Sequence, residues 1–281
     1  MKSRQNHELS RMTAGWLLPV VTLIVASSTG GVLAPALVEF SSYHTLITLT
    51  VSAIMVSIGL CLALMILTMY FLRLILYGVP ESTSVVSVFI PLGPTGQAGY
   101  SILLIGQGFR RILPLAHHEG STFLSGQQTG DTIHVMCTCV AFVLWALSTM
   151  WLLYAILAVQ EVLRATGPFP FKITVWGLIF PNCVLSNLSI QLSHELDVTS
   201  FRIWGAIHAA VTLMLWIFVF TKSILLLRGG RIFESLAIEE YDDLRVREKQ
   251  MTLHSEGTVD GGSWPSPAYG NSTARDDLNV V

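Results

Sequence analysis

Apolar residues fall in six long runs, broken by short polar stretches: Ala14 to Leu37, Leu46 to Tyr70, Val85 to Gly106, Ile133 to Val159, Ile173 to Leu192 and Ile203 to Leu227. Each is near the ~20 residues that a helix needs to cross a bilayer. The runs alternate in character. The first, third and fifth hold the glycines, prolines and hydroxyls, with Pro19, Ser27, Ser28, Thr29, Gly30, Gly31 and Pro35 in the first. The third holds Pro91, Gly93, Pro94, Gly96 and Gly99, and the fifth holds Gly177 and Pro181. The second, fourth and sixth are rich in Leu, Ile, Met, Phe and Trp, as lipid-facing helices are. One rule covers all six: three hairpins, each an inner helix followed by an outer one. Pro19, Pro91 and Pro181 fall in the first half of successive odd runs, a weak internal repeat of one hairpin per unit. The fold class expected is an all-α integral membrane protein of repeated inner–outer hairpins, with kinked inner helices lining a pore.

The fifth run organises the rest. It has no charge from Ile173 to Leu192, yet it contains Gly177, Pro181, Asn182, Ser186, Asn187, Ser189 and Gln191. Small and polar residues with a proline suit a helix that meets protein or water and not lipid all round. Pro181 is expected to bend it, and Phe180 just before would stand at the narrowest point. The lining assigned from the pattern is Pro19, Ser27, Ser28, Gly30, Gly31, Pro91, Gly93, Pro94, Gly96, Gly99, Gly177 and Pro181.

Lys2, Arg4, Arg11, Arg73, Arg164, Lys172, Arg228 and Arg231 fall on one side of the spans, and Arg110, Arg111 and Arg202 on the other. By the positive-inside rule both termini are cytoplasmic, and an even number of spans agrees. Residues 1–13 then form a cytoplasmic N-terminus without a cleavable leader, 14–227 the six-span domain, and 228–281 a tail that is amphipathic first and disordered after. The connection from Phe109 to Thr132 is an external loop with one short turn.

Composition changes the picture little. The chain is 52% hydrophobic and 12% charged, against about 25% charged in soluble domains. Nothing suggests a nucleic-acid partner. Cys61, Cys137, Cys139 and Cys183 lie in apolar runs, where a thiol behaves as a small hydrophobe, so neither a disulfide nor a metal is expected. His117-His118-Glu119 reads as a solvated turn. No cofactor is implied, and an enzyme is disfavoured because no acid–base pair lies deep in the odd runs. Asn187-Leu-Ser189 lies in the membrane and Asn271-Ser-Thr273 on the cytoplasmic side, so neither glycosylation sequon is expected to be used. His44, His117, His118, His134, His194 and His208 all fall toward the external side, where they could sense acidity. Scattered interfacial residues would look the same. An uncharged, Gly- and Pro-broken lining favours a small anion held by amides and helix N-terminal dipoles, although a neutral solute would also accept it.

Ser87-Val-Phe-Ile-Pro-Leu-Gly-Pro-Thr-Gly-Gln-Ala-Gly-Tyr-Ser101, Val175-Trp-Gly-Leu-Ile-Phe-Pro181 and Phe201-Arg-Ile-Trp-Gly205 together resemble the tellurite-resistance/dicarboxylate transporter family. That family includes guard-cell slow anion channels and fungal malate and sulfite transporters, and the Pro-Leu-Gly-Pro-x-Gly-Gln run is nearest its sulfite efflux branch. The resemblance implies a ring of helical hairpins with pseudo-five-fold symmetry, commonly trimeric, in which a phenylalanine blocks the pore. Phe180 matches that position. It further implies a multi-pass plasma-membrane protein that exports a small anion, sulfite or bisulfite first and a C4-dicarboxylate such as malate second. Asn182-Cys183 departs from the small residues expected after the proline. The family has ten spans; the six here resemble its last six, which leaves a truncated, non-transporting fragment as a third expectation.

Overall fold

The computed structural model describes residues 12–78, 85–114, 122–126, 128–166, 171 and 173–228. The N-terminal residues 1–11, the His117-His118-Glu119 run and the tail from 229 onward lie outside them. Among the described residues there are seven α-helices: α1 (Leu18–Val38), α2 (Ser42–Tyr77), α3 (Leu92–Ile112), the single turn α4 (Thr122–Ser125), α5 (Thr129–Thr166), α6 (Ile179–Leu196) and α7 (Thr199–Arg228). Among the described residues six helices are long and apolar enough to cross a membrane. The molecule is an all-α integral membrane protein, and α4 is the short turn expected in the long loop.

Local chemistry sets the helix ends. Ser41 caps α2, its hydroxyl accepting from the His44 amide at 3.5 Å. Gly78 ends α2 with φ of 73°, a conformation a side chain would resist. Asp197 ends α6 in the left-handed region, and after this short link α7 runs back along the span, so that the Trp176 indole N–H donates to Ser223 Oγ at 2.9 Å. The bounds of the helices reach past the apolar runs at several ends, most usefully at α6, which continues to Leu196.

Each odd span opens the same way. A short 3-10 turn, Ala14–Leu17, Val85–Phe89 or Ile173–Leu178, precedes α1, α3 and α6 respectively. Pro19, Pro91 and Pro181 stand at these junctions, which corrects the expectation of mid-helix kinks. Proline in a first turn removes no intrahelical bond and has the right φ already. Pro94 also lies in the first turn of α3, and the proline inside a helix is Pro35 in α1. At the break before α3 the Gly93 N–H donates to the Ile90 carbonyl at 2.9 Å, and Pro91 and Pro94 have no N–H to offer.

The inner–outer alternation holds in three dimensions. Of the apolar windows of α1, α3 and α6 with their 3-10 turns, 44, 72 and 50% is buried, against 28, 33 and 11% for α2, α5 and α7. α3 is the hub, packed on α1, α2, α5 and α6. Lipid tails are as apolar as leucine, so membrane helices gain by close van der Waals approach and not by the hydrophobic effect. A Cβ built on Gly31 would lie 2.8 Å from Leu104 Cβ, one on Gly99 2.7 Å from Leu188 Cδ2, and one on Gly108 2.7 Å from Leu49 Cδ2. The glycines thus let α3 draw close to α1, α6 and α2. Ile24, Leu49, Leu92, Leu103, Leu185 and Leu188 fill the interior, and Trp145 on α5 meets Phe201 on α7 edge-on at 4.8 Å between ring centres.

A polar stripe on α6 and a serine–glutamine seam

Helix α6 divides sharply around its circumference. Pro181, Asn182, Val184, Leu185, Ser186, Leu188, Ser189, Leu192 and Ser193 are buried. Their polar atoms are satisfied inside the protein. Ser186 Oγ donates to the Gly205 carbonyl of α7 at 2.9 Å. Ser189 Oγ accepts from the Trp145 indole N–H at 2.9 Å and donates to the Leu185 carbonyl at 2.7 Å. Asn182 Nδ2 donates to the Leu178 carbonyl at 2.7 Å.

The other face is polar and uncovered. Phe180, Cys183, Asn187 and His194 are exposed and Gln191 is half-buried. Their spacing of three, four, four and three residues places all five within about 80° of arc at 3.6 residues per turn. A stripe carrying an asparagine, a glutamine and a histidine is costly against hydrocarbon, so such a face meets water or protein. Phe180 heads the stripe, 41% exposed. Its ring lies over Gly93 at the start of α3, with ring atoms 3.4 and 3.7 Å from where a Cβ would stand. A Cβ at 93 would touch the ring at ordinary contact distance; a longer side chain there would compete with the ring for the same space.

A second polar feature joins α1 to α3. Gln97 Nε2 donates to Ser28 Oγ at 2.6 Å, Ser28 Oγ donates to the Val25 carbonyl at 2.7 Å, and Ser101 Oγ lies 3.2 Å from the Ile24 carbonyl and 2.8 Å from that of Gln97. Ser27 Oγ donates across to the Ser52 carbonyl of α2 at 2.8 Å. All four side chains are buried. Double-mutant cycles between membrane helices give such bonds about 0.6 kcal/mol on average and about 1.7 at most. A cycle of Ser28→Ala and Gln97→Ala, read by unfolding in lipid nanodiscs, is expected to return a coupling near the upper figure, because both partners are buried. A coupling indistinguishable from zero would mean that each group finds another partner when the first is lost.

The structure therefore sorts the lining residues assigned from sequence. It brings Phe180 against Gly93, and Ser28 into the seam with Gln97. Gly30 packs on Ser52, Gly31 on Leu104, Gly96 on Val184 and Gly99 on Leu188. Ser27, Pro91, Pro94 and Pro181 are buried, whereas Pro19 and Gly177 are exposed. Sequence reading missed two things. Cys183, Asn187, Gln191 and His194 were legible as one helical face with Phe180, given the period. Glu195 was set outside the fifth run at Leu192, yet it lies in the last turn of α6. There its Oε1 accepts from Gln107 Nε2 of α3, and its Oε2 lies 2.7 Å from His134 Nε2 of α5.

Residues 1–224 match the sequence profile of the SLAC1 family, described as voltage-dependent anion channel. Among curated proteins, the sulfite efflux pump SSU1 of Arthroderma otae is 31% identical over 224 residues, 80% of this chain and 56% of that protein. The protein of the same name in Candida albicans is 26% identical, covering 73% of this chain and 44% of its own length. The malic acid transport protein of Schizosaccharomyces pombe is 21% identical, over 75% and 47%. The chain spans about half the length of the curated relatives it matches. No solved structure matches.

Proposed function

Because the chain belongs to the SLAC1, or voltage-dependent anion channel, family, we propose that it moves a small anion across the plasma membrane, outward, with sulfite or bisulfite as first substrate. The observation that carries this reading is the uncovered stripe of α6. Its five residues supply amide and imidazole groups and no carboxylate, Glu195 being turned inward onto Gln107 and His134, and it is headed by an aromatic ring on a glycine. Such a wall suits a solute whose negative charge is spread over several oxygens, which weak donors can accompany without trapping it. Phe180 is the gate: its ring closes the path at the α3–α6 junction, and flux requires it to swing or α6 to shift. The mixed polar face of α6 is then pore wall. The assembly is a homo-oligomer, a trimer, embedded through α2, α5 and α7, with both termini in the cytoplasm. Residues 1–13 and 228–281 are its cytoplasmic ends.

Malate is the second reading, favoured by the malic acid transport protein among the relatives. Two carboxylates on a four-carbon chain ask for a wider and longer site than sulfite does, so competition separates the two. In a sulfite-sensitive fungal strain lacking its own exporter, the chain is expected to restore growth on sulfite and sulfite efflux above the vector control. Malate in excess should leave that efflux unchanged. Malate uptake or efflux without sulfite efflux would exchange the two substrates, and neither flux at matched membrane abundance would overturn the transport reading for this chain.

A further inference from the structure

Three helices converge on one carboxylate at the end of the bundle formed by the last turns of α3 and α6 and the first turns of α5. Glu195 is contacted by Gln107 on one oxygen and His134 on the other. The His134 and Glu195 side chains are only 11 and 16% exposed. Close by, the backbone is tight: a Cβ on Gly106 of α3 would stand 2.6 Å from Cys137 Cβ and 3.4 Å from His134 Cα. The pair thus sits where α5 and α3 are already in contact, and it adds the tie from both to α6.

Among the described residues, the nearby charges are engaged or exposed. Arg110 of α3 is engaged with Asp131 of α5 at 2.8 Å, and both are more than half exposed. Asp197, just past α6, faces Arg202 of α7 at 3.9 Å, also in the open. Arg111 of α3, His194 of α6 and His44 of α2 are exposed, and among the described residues the Cys137 thiol, half-buried on α5, is a further titratable group beside the pair. Solvent screens the exposed charges far more than it does the buried pair.

We propose that His134 and Glu195 form a proton-operated latch that fixes the end of α6 to α5 and α3. Imidazole changes charge between about pH 5 and 8. With the proton, the contact is an ion pair with a charge-assisted hydrogen bond, about twice as strong as a neutral one. Without it, the same geometry holds only a neutral donor against a carboxylate, and the last turn of α6 loosens from its neighbours. Gln107 is a positioning residue: it holds the second carboxylate oxygen and keeps Glu195 turned inward in both states. The latch is closed at acidic pH and weakened above it, and it acts on the same helix whose opposite end carries Phe180.

Hydrogen exchange of the full chain in nanodiscs tests the latch without reference to any transported solute. Protection factors, corrected for the intrinsic pH dependence of exchange, would be followed from pH 5.5 to 8 in segments covering residues 130–138 and 190–197. In the native chain they are expected to fall about fivefold in both segments as pH rises, the margin between a charge-assisted and a neutral hydrogen bond. His134→Gln and Glu195→Gln, which keep hydrogen-bonding side chains, should each flatten the profile. His194→Gln should keep the native profile. A native profile that does not change with pH, or one that persists in both His134→Gln and Glu195→Gln, would overturn the proposal. Because solute flux is not measured, this outcome is independent of whether sulfite is the substrate.

Discussion

Phe180→Ala is expected to raise sulfite flux about tenfold at matched membrane abundance, which corresponds to removing about 1.4 kcal/mol from the barrier. The ring is held at one end of a polar stripe, and its support is a glycine, so nothing bulky replaces it when it is cut back. The structure also says which control to run. Gly93→Leu fills the same junction from α3, where a Cβ already meets the ring at 3.4 Å, and it should lower flux in the native chain. With alanine at 180, the leucine has space, and the double variant should fall between the two singles. The measurement is efflux of sulfite from loaded cells, with surface protein quantified in parallel. If Phe180→Ala leaves flux unchanged while the protein folds normally, the ring is packing at a helix junction and not a gate, and the barrier lies elsewhere on the stripe.

A large effect on folding should come from Gly99→Leu. Gly99 stands where α3 passes between α6 and α5, and a Cβ there would be 2.7 Å from Leu188 Cδ2 and 3.3 Å from Leu144 Cβ. The first contact is with the end of a flexible side chain, which can turn away. The second is with a Cβ, which cannot move without its helix. Alanine at 99 is therefore expected to cost about 1–3 kcal/mol, the usual range for overpacking. Leucine must part the two helices, and the loss should consume most of a stability of about 5–15 kcal/mol. Size-exclusion profiles and thermal unfolding in mild detergent check both: a displaced midpoint for Gly99→Ala, and no monodisperse folded species for Gly99→Leu. Normal behaviour of the leucine variant would mean that α3 is not the tightly held centre of the bundle.

Much of this was legible from residue order. The odd and even runs differ in Gly, Pro and Ser content because inner helices approach each other at backbone distance while outer ones present bulk to lipid. The same requirement appears as burial in α1, α3 and α6. What the pattern could not tell was the purpose of individual small residues. Gly31, Gly96 and Gly99 look alike as lining or as packing, since both uses ask for the absence of a side chain; only the structure names the neighbours Leu104, Val184 and Leu188 that pack on them. Proline carries a similar ambiguity. Pro91 and Pro181 announce a break, but whether the break is a mid-helix kink or a junction with a 3-10 turn depends on where helical bonding begins. Glu195 was missed for a different reason. A charge ends an apolar run in any reading by composition, yet the helix continues beneath it because His134 and Gln107, distant in sequence, satisfy the carboxylate.

The polar face of α6 also bears on how the chain enters the membrane. Together with α3, this span has the lowest hydropathy of the six, and it exposes an asparagine and a histidine on the side no described helix covers. A segment partitioning one helix at a time from the translocon is judged on its own apolarity, and central polar side chains weigh against it. α7, by contrast, is strongly apolar and follows after a link of two residues, Asp197 and Val198. The unit that inserts is therefore the pair: α7 supplies the partitioning free energy, and Ser186 of α6, bonded to the Gly205 carbonyl of α7, hides one hydroxyl on the way in. A hairpin that carries its wettest helix first has to be recognised as a hairpin, late, after its second half has been synthesised.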